Sequence, residues 1–308
     1  MVTYAQDIWR CRYFWMSLVK MDLQNRYRRS VLGIGWSLLN PIAMTTVMCI
    51  VFVKVFGQDL REFAPSLMAG LAIWTYVVTS MLNGCQCFFI GEQYIRQYPA
   101  PLAIYPLRTA LGGTIHFGLA LLVVFALAVY AHATAPLPVD VEGPMTEMDE
   151  LAVNAHATAP APAVTDAVRA ARAKAALFHA GVPGPAALLS LIPAIVLLFL
   201  FGWSVALLAG FANVIFKDTQ HLAEVGLQIV FYASPIIVPK EVFVKNGLTW
   251  ILTCNPVVAF LDMIRIPLLE GHVPHPMVFA KAMVTVGILM LASGLMLLRQ
   301  QKRLIFYL

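Results

Sequence analysis

Six apolar stretches, each about as long as a membrane-spanning helix, constrain the fold of this chain more than any other feature of its sequence. A helix needs roughly 20 apolar residues to cross the hydrocarbon core of a bilayer, which is about 30 Å thick. Only helices and closed barrels satisfy all their backbone polar groups in lipid. The pattern predicts spans at residues 33–56, 65–91, 108–131, 186–211, 219–238 and 277–298.

Composition agrees with a membrane protein. Of the 308 residues, 60% are hydrophobic and 12% are charged, and the mean hydropathy is +0.77. A soluble domain is about half apolar and a quarter charged. The sequence therefore predicts an all-α integral membrane protein with six transmembrane helices. The net charge of +5 is no nucleic-acid signal here, because the position of basic residues matters more than their sum.

The distribution of Lys and Arg predicts the orientation of the chain. With the N-terminus inside, twelve of these residues fall in inside regions and six in the short outside regions. The positive-inside rule then predicts that both termini are cytoplasmic. Arg26, Arg28 and Arg29 directly precede the first span, so one interpretation makes them a topological anchor. The first 30 residues carry no signal-peptide pattern, and the first span is expected to remain in the mature protein.

Residues 1–32 are predicted to form an amphipathic helix at the cytoplasmic membrane surface. Apolar side chains recur at roughly helical spacing, with charged residues between them, and aromatic residues of such helices lie at headgroup depth. The apolar positions are Ile8, Trp9, Tyr13, Phe14, Leu18 and Met21, and the charged ones Arg10, Arg12, Lys20 and Asp22.

Residues 239–276 contain two apolar pieces, 241–253 and 257–269, that are each too short to cross a bilayer. Runs of this length are typical of re-entrant or interfacial segments. Pro256, which follows Asn255, disfavours helical backbone at the residue before it. The sequence therefore predicts a re-entrant helical hairpin on the extracytoplasmic side, before the last span.

Two charged residues, Asp262 and Arg265, lie on the second arm of this hairpin. They are three positions apart, so they face each other on a helix. The spacing fits a plain ion pair, and it also fits a latch of a gate; the sequence leaves both interpretations open.

The remaining segments complete the organisation. Spans one to three occupy 33–131 and enclose a cytoplasmic segment at 92–108, spans four and five occupy 186–238, and the last span with its basic tail occupies 277–308. Residues 132–185 hold seven of the 19 prolines, and AHATAP occurs twice there. This composition predicts a flexible extracytoplasmic insertion.

The common catalytic signatures are absent from the sequence. No lysine follows a glycine, which excludes a Walker A phosphate loop, and neither H-E-x-x-H nor G-x-S-x-G occurs. The five cysteines are interpreted as small apolar residues. We therefore expect no catalytic residue, no metal site and no cofactor bound by this chain.

Four stretches carry features beyond hydropathy. They are NRYRRSVLGIGWSLLNP (25–41), GEQYIRQYPAPLAIYPLR (91–108), VIFKDTQHLAEVGLQIVFYASPIIV (214–238) and NPVVAFLDMIR (255–265). In this order and spacing they resemble the membrane (permease) subunits of type-2 ABC exporters, in particular those that export O-antigen, capsule and teichoic-acid polysaccharides. The likeness covers nearly the whole chain outside 132–185, and that insertion departs from the compact family pattern.

The resemblance implies partners and a substrate. Two copies of the chain would form a channel in the bacterial inner membrane, and two separate ATPase subunits would bind ATP and Mg. These would dock on the interface helix and on segment 92–108. The substrate would be a polysaccharide carried on a polyprenyl pyrophosphate lipid. The residues expected to couple to the ATPase are Arg96, Tyr98, Pro99, Pro101, Tyr105 and Arg108.

A pyrophosphate headgroup would be a dense anion at the cytoplasmic surface. Arginine binds phosphate oxygens bidentately through its planar guanidinium group. The expected receptor residues are Arg26, Arg28, Arg29 and Lys217, and this role is compatible with that of an anchor.

Aromatic and hairpin residues complete the expected sites. Aromatic faces can stack on sugar rings along a channel, although interfacial placement or helix packing explains such residues equally well. The candidates are Trp36, Trp74, Tyr76, Phe231 and Tyr232. The expected extracytoplasmic gate consists of Asn255, Pro256, Asp262 and Arg265.

Two other functions fit parts of the sequence. An ABC efflux permease for drugs or lipids would share the spans and the hairpin. A membrane-embedded glycosyltransferase would need a cytoplasmic carboxylate pair for a metal and a sugar nucleotide. The dense acidic cluster of the chain, Glu147, Asp149 and Glu150, lies instead in the predicted extracytoplasmic insertion.

Overall fold

The computed structural model describes residues 2–28, 30, 33–56, 59–98, 100–134, 183–301 and 304, and these are helical with short connections. The all-α prediction is confirmed. The helices are α1 (Val2–Arg10), α2 (Arg12–Tyr27), α3 (Trp36–Phe56), α4 (Leu60–Gln97), α5 (Ile104–Ala133), α6 (Pro185–Ile215), α7 (Thr219–Tyr232), α8 (Lys240–Lys245), α9 (Thr249–Cys254), α10 (Pro256–Arg265) and α11 (Pro276–Gln300). Most of the predicted insertion, residues 135–182, lies outside this description.

Five helices of the described part are long and apolar enough to cross a membrane, namely α3, α4, α5, α6 and α11. Each contains most or all of one predicted span, and α4 extends beyond its span at both ends. Asp59 caps its N-terminus by accepting a hydrogen bond from the Arg61 amide at 2.9 Å. At the other end the ion pair of Glu92 and Arg96, at 2.9 Å, supports the helix past the predicted boundary.

The predicted fifth span, 219–238, is helical only over its first part. Helix α7 has 14 residues, so it is about 21 Å long and shorter than a hydrocarbon core. It ends at Tyr232 because Pro235 lacks an amide hydrogen and restricts the residue before it. A turn follows and leads to α8.

The predicted helix break at Asn255 is confirmed. The Asn255 side chain accepts a hydrogen bond from the Val257 amide at 2.9 Å and so caps α10, with Pro256 at the first helical position. The first arm is two short helices, α8 and α9, rather than one. Between them Gly247 adopts φ +70°, a backbone conformation that favours glycine.

Helix α4 is the centre of the bundle, and 61% of its most apolar stretch is buried, against 17% for α3. It packs closely on α6 through small residues. A Cβ atom at Gly84 would lie 2.5 Å from the Cα of Ala206, and Asn213 donates to the Cys85 carbonyl at 2.9 Å. Helices in lipid associate through such close packing, since lipid tails are as apolar as the side chains.

The N-terminal and C-terminal parts of the described chain meet at one end of the bundle, which we call the basal end. A hydrophobic cluster there contains Leu297 and Leu304 from the C-terminal region, and Tyr4 and Ile8 of α1 pack against it. Phe88, Tyr105 and Phe211 bring α4, α5 and α6 into the same cluster. The opposite end, which we call the distal end, holds α8, α9 and α10, which contain the residues of the predicted hairpin.

The close approach of α4 and α6 gives a direct test of the fold. We expect Gly84→Val to lower the free energy of unfolding by roughly 3 kcal/mol, because the added atoms would overlap the backbone of Ala206. The measurement is the midpoint of thermal unfolding in detergent. Gly287→Val on α11 is the matched control, since a Cβ atom there would meet nothing within 4 Å. Equal losses in the two variants would contradict the close packing.

Candidate functional site

A cavity of about 600 Å³ lies in the basal half of the bundle, between α2, α3, α4 and α5. It brings together four residues that were predicted to act at separate sites. Arg26 comes from the expected headgroup site, Trp36 and Tyr76 from the expected aromatic track, and Arg108 from the expected coupling segment. The cavity therefore combines cationic and aromatic side chains in one place.

The charged wall of the cavity centres on Arg108. Its side chain is only 8% exposed, and its Nε donates to Asp22 Oδ2 at 2.5 Å. Its Nη1 is buried and has no hydrogen-bond partner among the described residues. Tyr27 and His116 also line the cavity, with the Tyr27 hydroxyl 3.3 Å from His116 Nδ1. Helix α2 is thus joined to α5 by two polar contacts at the cavity.

The aromatic residues fall into two groups. Tyr76 is 2% exposed, and its ring packs against Phe117 with centroids 5.9 Å apart. Trp36 lies at the cavity with half of its surface exposed. The other three candidates lie elsewhere and contact one another in series, Trp74 with Phe231 at 5.3 Å and Phe231 with Tyr232 at 5.5 Å between ring centroids.

Two of the other expected headgroup residues, Arg28 and Lys217, do not line the cavity. Arg28 directly follows α2 and is exposed, and Lys217 is exposed in the turn between α6 and α7. Arg29 lies outside the described residues. In the described part of the chain, the cavity therefore gathers Arg26 and Arg108 rather than the predicted set.

A second cavity, of about 650 Å³, lies in the distal half between the same three helices α3, α4 and α5. Its lining is largely apolar and includes Ile50, Val53, Met68 and Leu127. The side of the bundle along α3 therefore changes from polar at the basal end to apolar at the distal end.

The expected coupling segment is a short turn between two long helices. Helix α4 ends at Gln97 and α5 begins at Ile104, so Tyr105 and Arg108 belong to the first turns of α5 and are buried. Arg96 and Tyr98 are exposed and Pro101 is half-buried, whereas Pro99 lies outside the described residues.

The interface helix contacts this turn directly. The hydroxyl of Tyr4 accepts a hydrogen bond from the Ala103 amide at 3.2 Å. Phe14 on α2 lies between Tyr94 and Tyr98, with ring centroids 6.0 and 5.8 Å away. The Trp9 and Tyr13 side chains are exposed on the outer face of α1 and α2. Helices α1 and α2 and the turn therefore form one continuous surface.

The expected gate residues are engaged at the distal end, with different partners from those predicted. Asp262 forms a salt bridge with Lys240, and it also interacts electrostatically with Arg265 without a hydrogen bond between them. Arg265 instead donates to three carbonyl oxygens, those of Ser66 at 3.0 Å, Pro235 at 2.6 Å and Ile236 at 3.1 Å. It thereby ties the end of α10 to the start of α4 and to the turn after α7.

Sequence reasoning missed the roles of Asp22 and His116. Asp22 was read only as a charged position of the amphipathic helix, and its partner Arg108 is 86 residues away. The available signal was a lone carboxylate within a strongly basic segment. No group of three His, Cys, Asp or Glu residues that could hold a metal occurs among the described residues.

Comparison with known proteins supports the family resemblance. No protein-family model matches the chain. The chain is 20% identical to an O-antigen export system permease protein RfbA of Klebsiella pneumoniae, over 92% of this chain and 90% of that protein. A second K. pneumoniae protein of the same name is 21% identical, over 79% and 75% of the two chains. RfbA of Myxococcus xanthus is 22% identical over 98% of each chain. The resemblance to ABC permeases of the O-antigen export type is confirmed.

The contacts of Arg265 make a prediction about the distal end. We expect Arg265→Met to lower the free energy of unfolding by roughly 3 kcal/mol, because three carbonyl groups lose a charged donor. The midpoint of thermal unfolding in detergent should fall by roughly 5 to 10 °C. Lys281→Met, at an exposed position of α11, is the control and should change the midpoint little. A similar fall in both variants would show that the carbonyl contacts do not stabilise the hairpin.

Proposed function

We propose that the chain is the channel-forming membrane subunit of an ATP-driven exporter that carries a lipid-linked polysaccharide, such as O-antigen or capsule, across the bacterial inner membrane. The observation that carries this proposal is the basal cavity, which combines Arg26 and Arg108 with Trp36 and Tyr76. Arginine suits a phosphate headgroup and aromatic rings suit sugars. Similarity to O-antigen export permeases over nearly the full length agrees with it.

Six crossings of the membrane belong to this proposal. Tyr4 near one terminus and Leu304 near the other contact the same cluster at the basal end, and an even number of crossings returns a chain to its starting side. Five crossings are assigned to the long helices, and the sixth to α7 with the turn that follows it. On this assignment the basal end is cytoplasmic, and the hairpin re-enters the membrane from outside.

Two copies of the chain and two ATPase subunits would form the complete exporter. The continuous surface of α1, α2 and the turn at Tyr98 supports a docking role, because exposed Arg96 and Tyr98 lie beside it. Movement of an ATPase subunit against this surface would reach α5 and α6 through Ala103, which directly precedes α5. Ala103 accepts a hydrogen bond from Trp203 of α6 and donates one to Tyr4. The ATP and Mg would be bound by the partner subunit.

The headgroup of the substrate would bind at the basal cavity. Arg26 faces it, and exposed Arg28 and Lys217, together with Arg29, would attract the anion towards the membrane surface. The sugar chain would then pass Trp36 and Tyr76. Trp74, Phe231 and Tyr232 would continue the track, and the 68% exposure of Tyr232 supports a surface that faces a second copy or the channel.

The hairpin would close the distal end of the channel. Asn255 and Pro256 set its bend, and the Lys240–Asp262 pair joins its two arms. Arg265 fixes its base to α4. A gate built in this way would open by moving the arms while its base stays in place.

One observation favours efflux of a lipid or drug as a second candidate function. The distal cavity is lined mainly by apolar side chains such as Ile50 and Met68, and apolar pockets of this size are typical binding sites for hydrophobic molecules. Such a substrate would not need the cationic basal cavity.

ATP turnover of the reconstituted complex tests the proposal. Lipid-linked oligosaccharide should stimulate turnover, and Arg26→Gln should raise its half-saturating concentration by about tenfold through loss of a charge-assisted hydrogen bond. Lys245→Gln, at an exposed site of the hairpin, is the control and should leave that concentration unchanged. Stimulation by hydrophobic drugs alone would favour efflux, and failure to bind any ATPase would contradict both functions.

A further inference from the structure

The Asp22–Arg108 pair leaves the guanidinium group of Arg108 incompletely satisfied. Nε donates to Asp22 at 2.5 Å, whereas Nη1 is buried without a hydrogen-bond partner in the described part of the chain. Buried polar groups are nearly always hydrogen-bonded, and leaving a charged donor unpaired is costly. An arginine at a cavity wall with one donor occupied and one donor free is a partly filled anion site.

A phosphate-type anion would satisfy this group better than Asp22 does. Phosphate presents several oxygens, so it can accept from the buried Nη1 and from Nη2 together in a bidentate arrangement that the guanidinium fork favours. Its negative charge would then lie beside the Asp22 carboxylate and disfavour the contact of Asp22 with Nε. Arg26 lines the same cavity and supplies a second cation. Asp22 is the acidic residue that faces these two cations there, and its side chain is 40% exposed, so it can turn to solvent when it is displaced.

We propose that a phosphate or pyrophosphate group entering the basal cavity displaces Asp22 from Arg108, and that this exchange releases α2 from α5. The inference rests on the proposed function, because it assigns a second residue and a response to the same headgroup site. Arg108 becomes a ligand of the anion, and Asp22 becomes a built-in competitor that occupies the site when no anion is bound.

The exchange would couple binding of an anion in the cavity to the surface formed by α1, α2 and the turn after α4. Near the cavity, α2 is held on α5 by the Asp22–Arg108 pair and by the contact between Tyr27 and His116. The same helix carries Phe14, which packs on the turn after α4. Loss of the charged contact would therefore loosen α2 at the surface proposed to receive the ATPase, before any ATP is used.

The exchange is tested by measuring, with calorimetry, the affinity of inorganic pyrophosphate for the full-length chain in nanodiscs. The deciding result is whether Asp22→Asn raises or lowers that affinity. Asp22→Asn should tighten binding by about tenfold, because the competing carboxylate is gone. Arg108→Lys should weaken binding by a similar factor, because a lysine cannot form the bidentate contact. Asp7→Asn, which removes an exposed ion pair with Arg10, controls for the change in net charge and should leave the affinity unchanged.

The opposite result would overturn the inference. If Asp22 only positions Arg108, Asp22→Asn should weaken binding or leave it unchanged, and absence of binding to the unmodified chain would also refute the site. Because Asp22→Asn preserves side-chain volume, this test does not depend on the folding of the Arg108 variant.

Hydrogen exchange provides a second measurement that needs no substitution. Pyrophosphate should speed amide exchange in residues 12–28 of the unmodified chain, and it should have no further effect in Asp22→Asn, where the charged contact between α2 and α5 is already absent. Unchanged or slower exchange in the unmodified chain would refute the release of α2.

Two further arms separate the source of the anion from the function. Polyprenyl pyrophosphate in the nanodisc should compete with inorganic pyrophosphate if the natural ligand is a lipid headgroup, and should not compete if the site takes a free anion. Either result supports the inference only if Asp22→Asn also tightens the binding of inorganic pyrophosphate. If glycolipid fails to stimulate ATP turnover while that effect holds, the proposed function fails and the anion exchange stands.

Discussion

The bundle depends on how the chain satisfies its backbone where a helix stops among apolar side chains. In lipid each unpaired carbonyl is costly, so irregular backbone is tolerated only where the protein supplies donors. Helix α7 stops at Tyr232, and the carbonyls beyond it receive hydrogen bonds from Arg265, with Asn255 donating to Ala233. Because Arg265 also reaches Ser66, the same group that permits the break fixes the hairpin to the central helix α4.

At the basal end, helix α2 contributes residues to two surfaces, the cavity wall and the proposed docking surface. One face of α2 supplies Asp22 and Arg26 to the cavity wall, while Phe14 packs on the turn at Tyr98. A change in the cavity would therefore reach the proposed docking surface without passing through the core. The membrane core can remain rigid, with α4 and α6 in close contact at Gly84, while the response takes place at its edge.

Hydropathy predicted five long helices and the break at Asn255 well, because length and proline chemistry act locally. It predicted a fifth span that is longer than helix α7, because the apolar run continues through Pro235 although the helix has already ended before that residue. Trp74 and Tyr76 were expected to lie on one aromatic track. Residues two positions apart on a helix point in directions about 200° apart. Trp74 therefore faces Phe231, whereas Tyr76 faces the cavity. The partners of Asp22 and Asp262 depend on tertiary packing and could not be inferred from spacing.

The sequence separation of 86 positions from Asp22 to Arg108 also determines when this contact can form. A chain is made from its N-terminus, so α1 and α2 leave the ribosome before α5 exists. Before α4 is made, these helices have only the membrane surface and each other, through the Trp15 indole that donates to the Ile8 carbonyl at 3.2 Å. Once α4 is present, Phe14 can pack on Tyr94, but Asp22 still lacks its partner. The first segment to be synthesised therefore gains its charged contact with the bundle only after two membrane helices and the start of a third have been inserted.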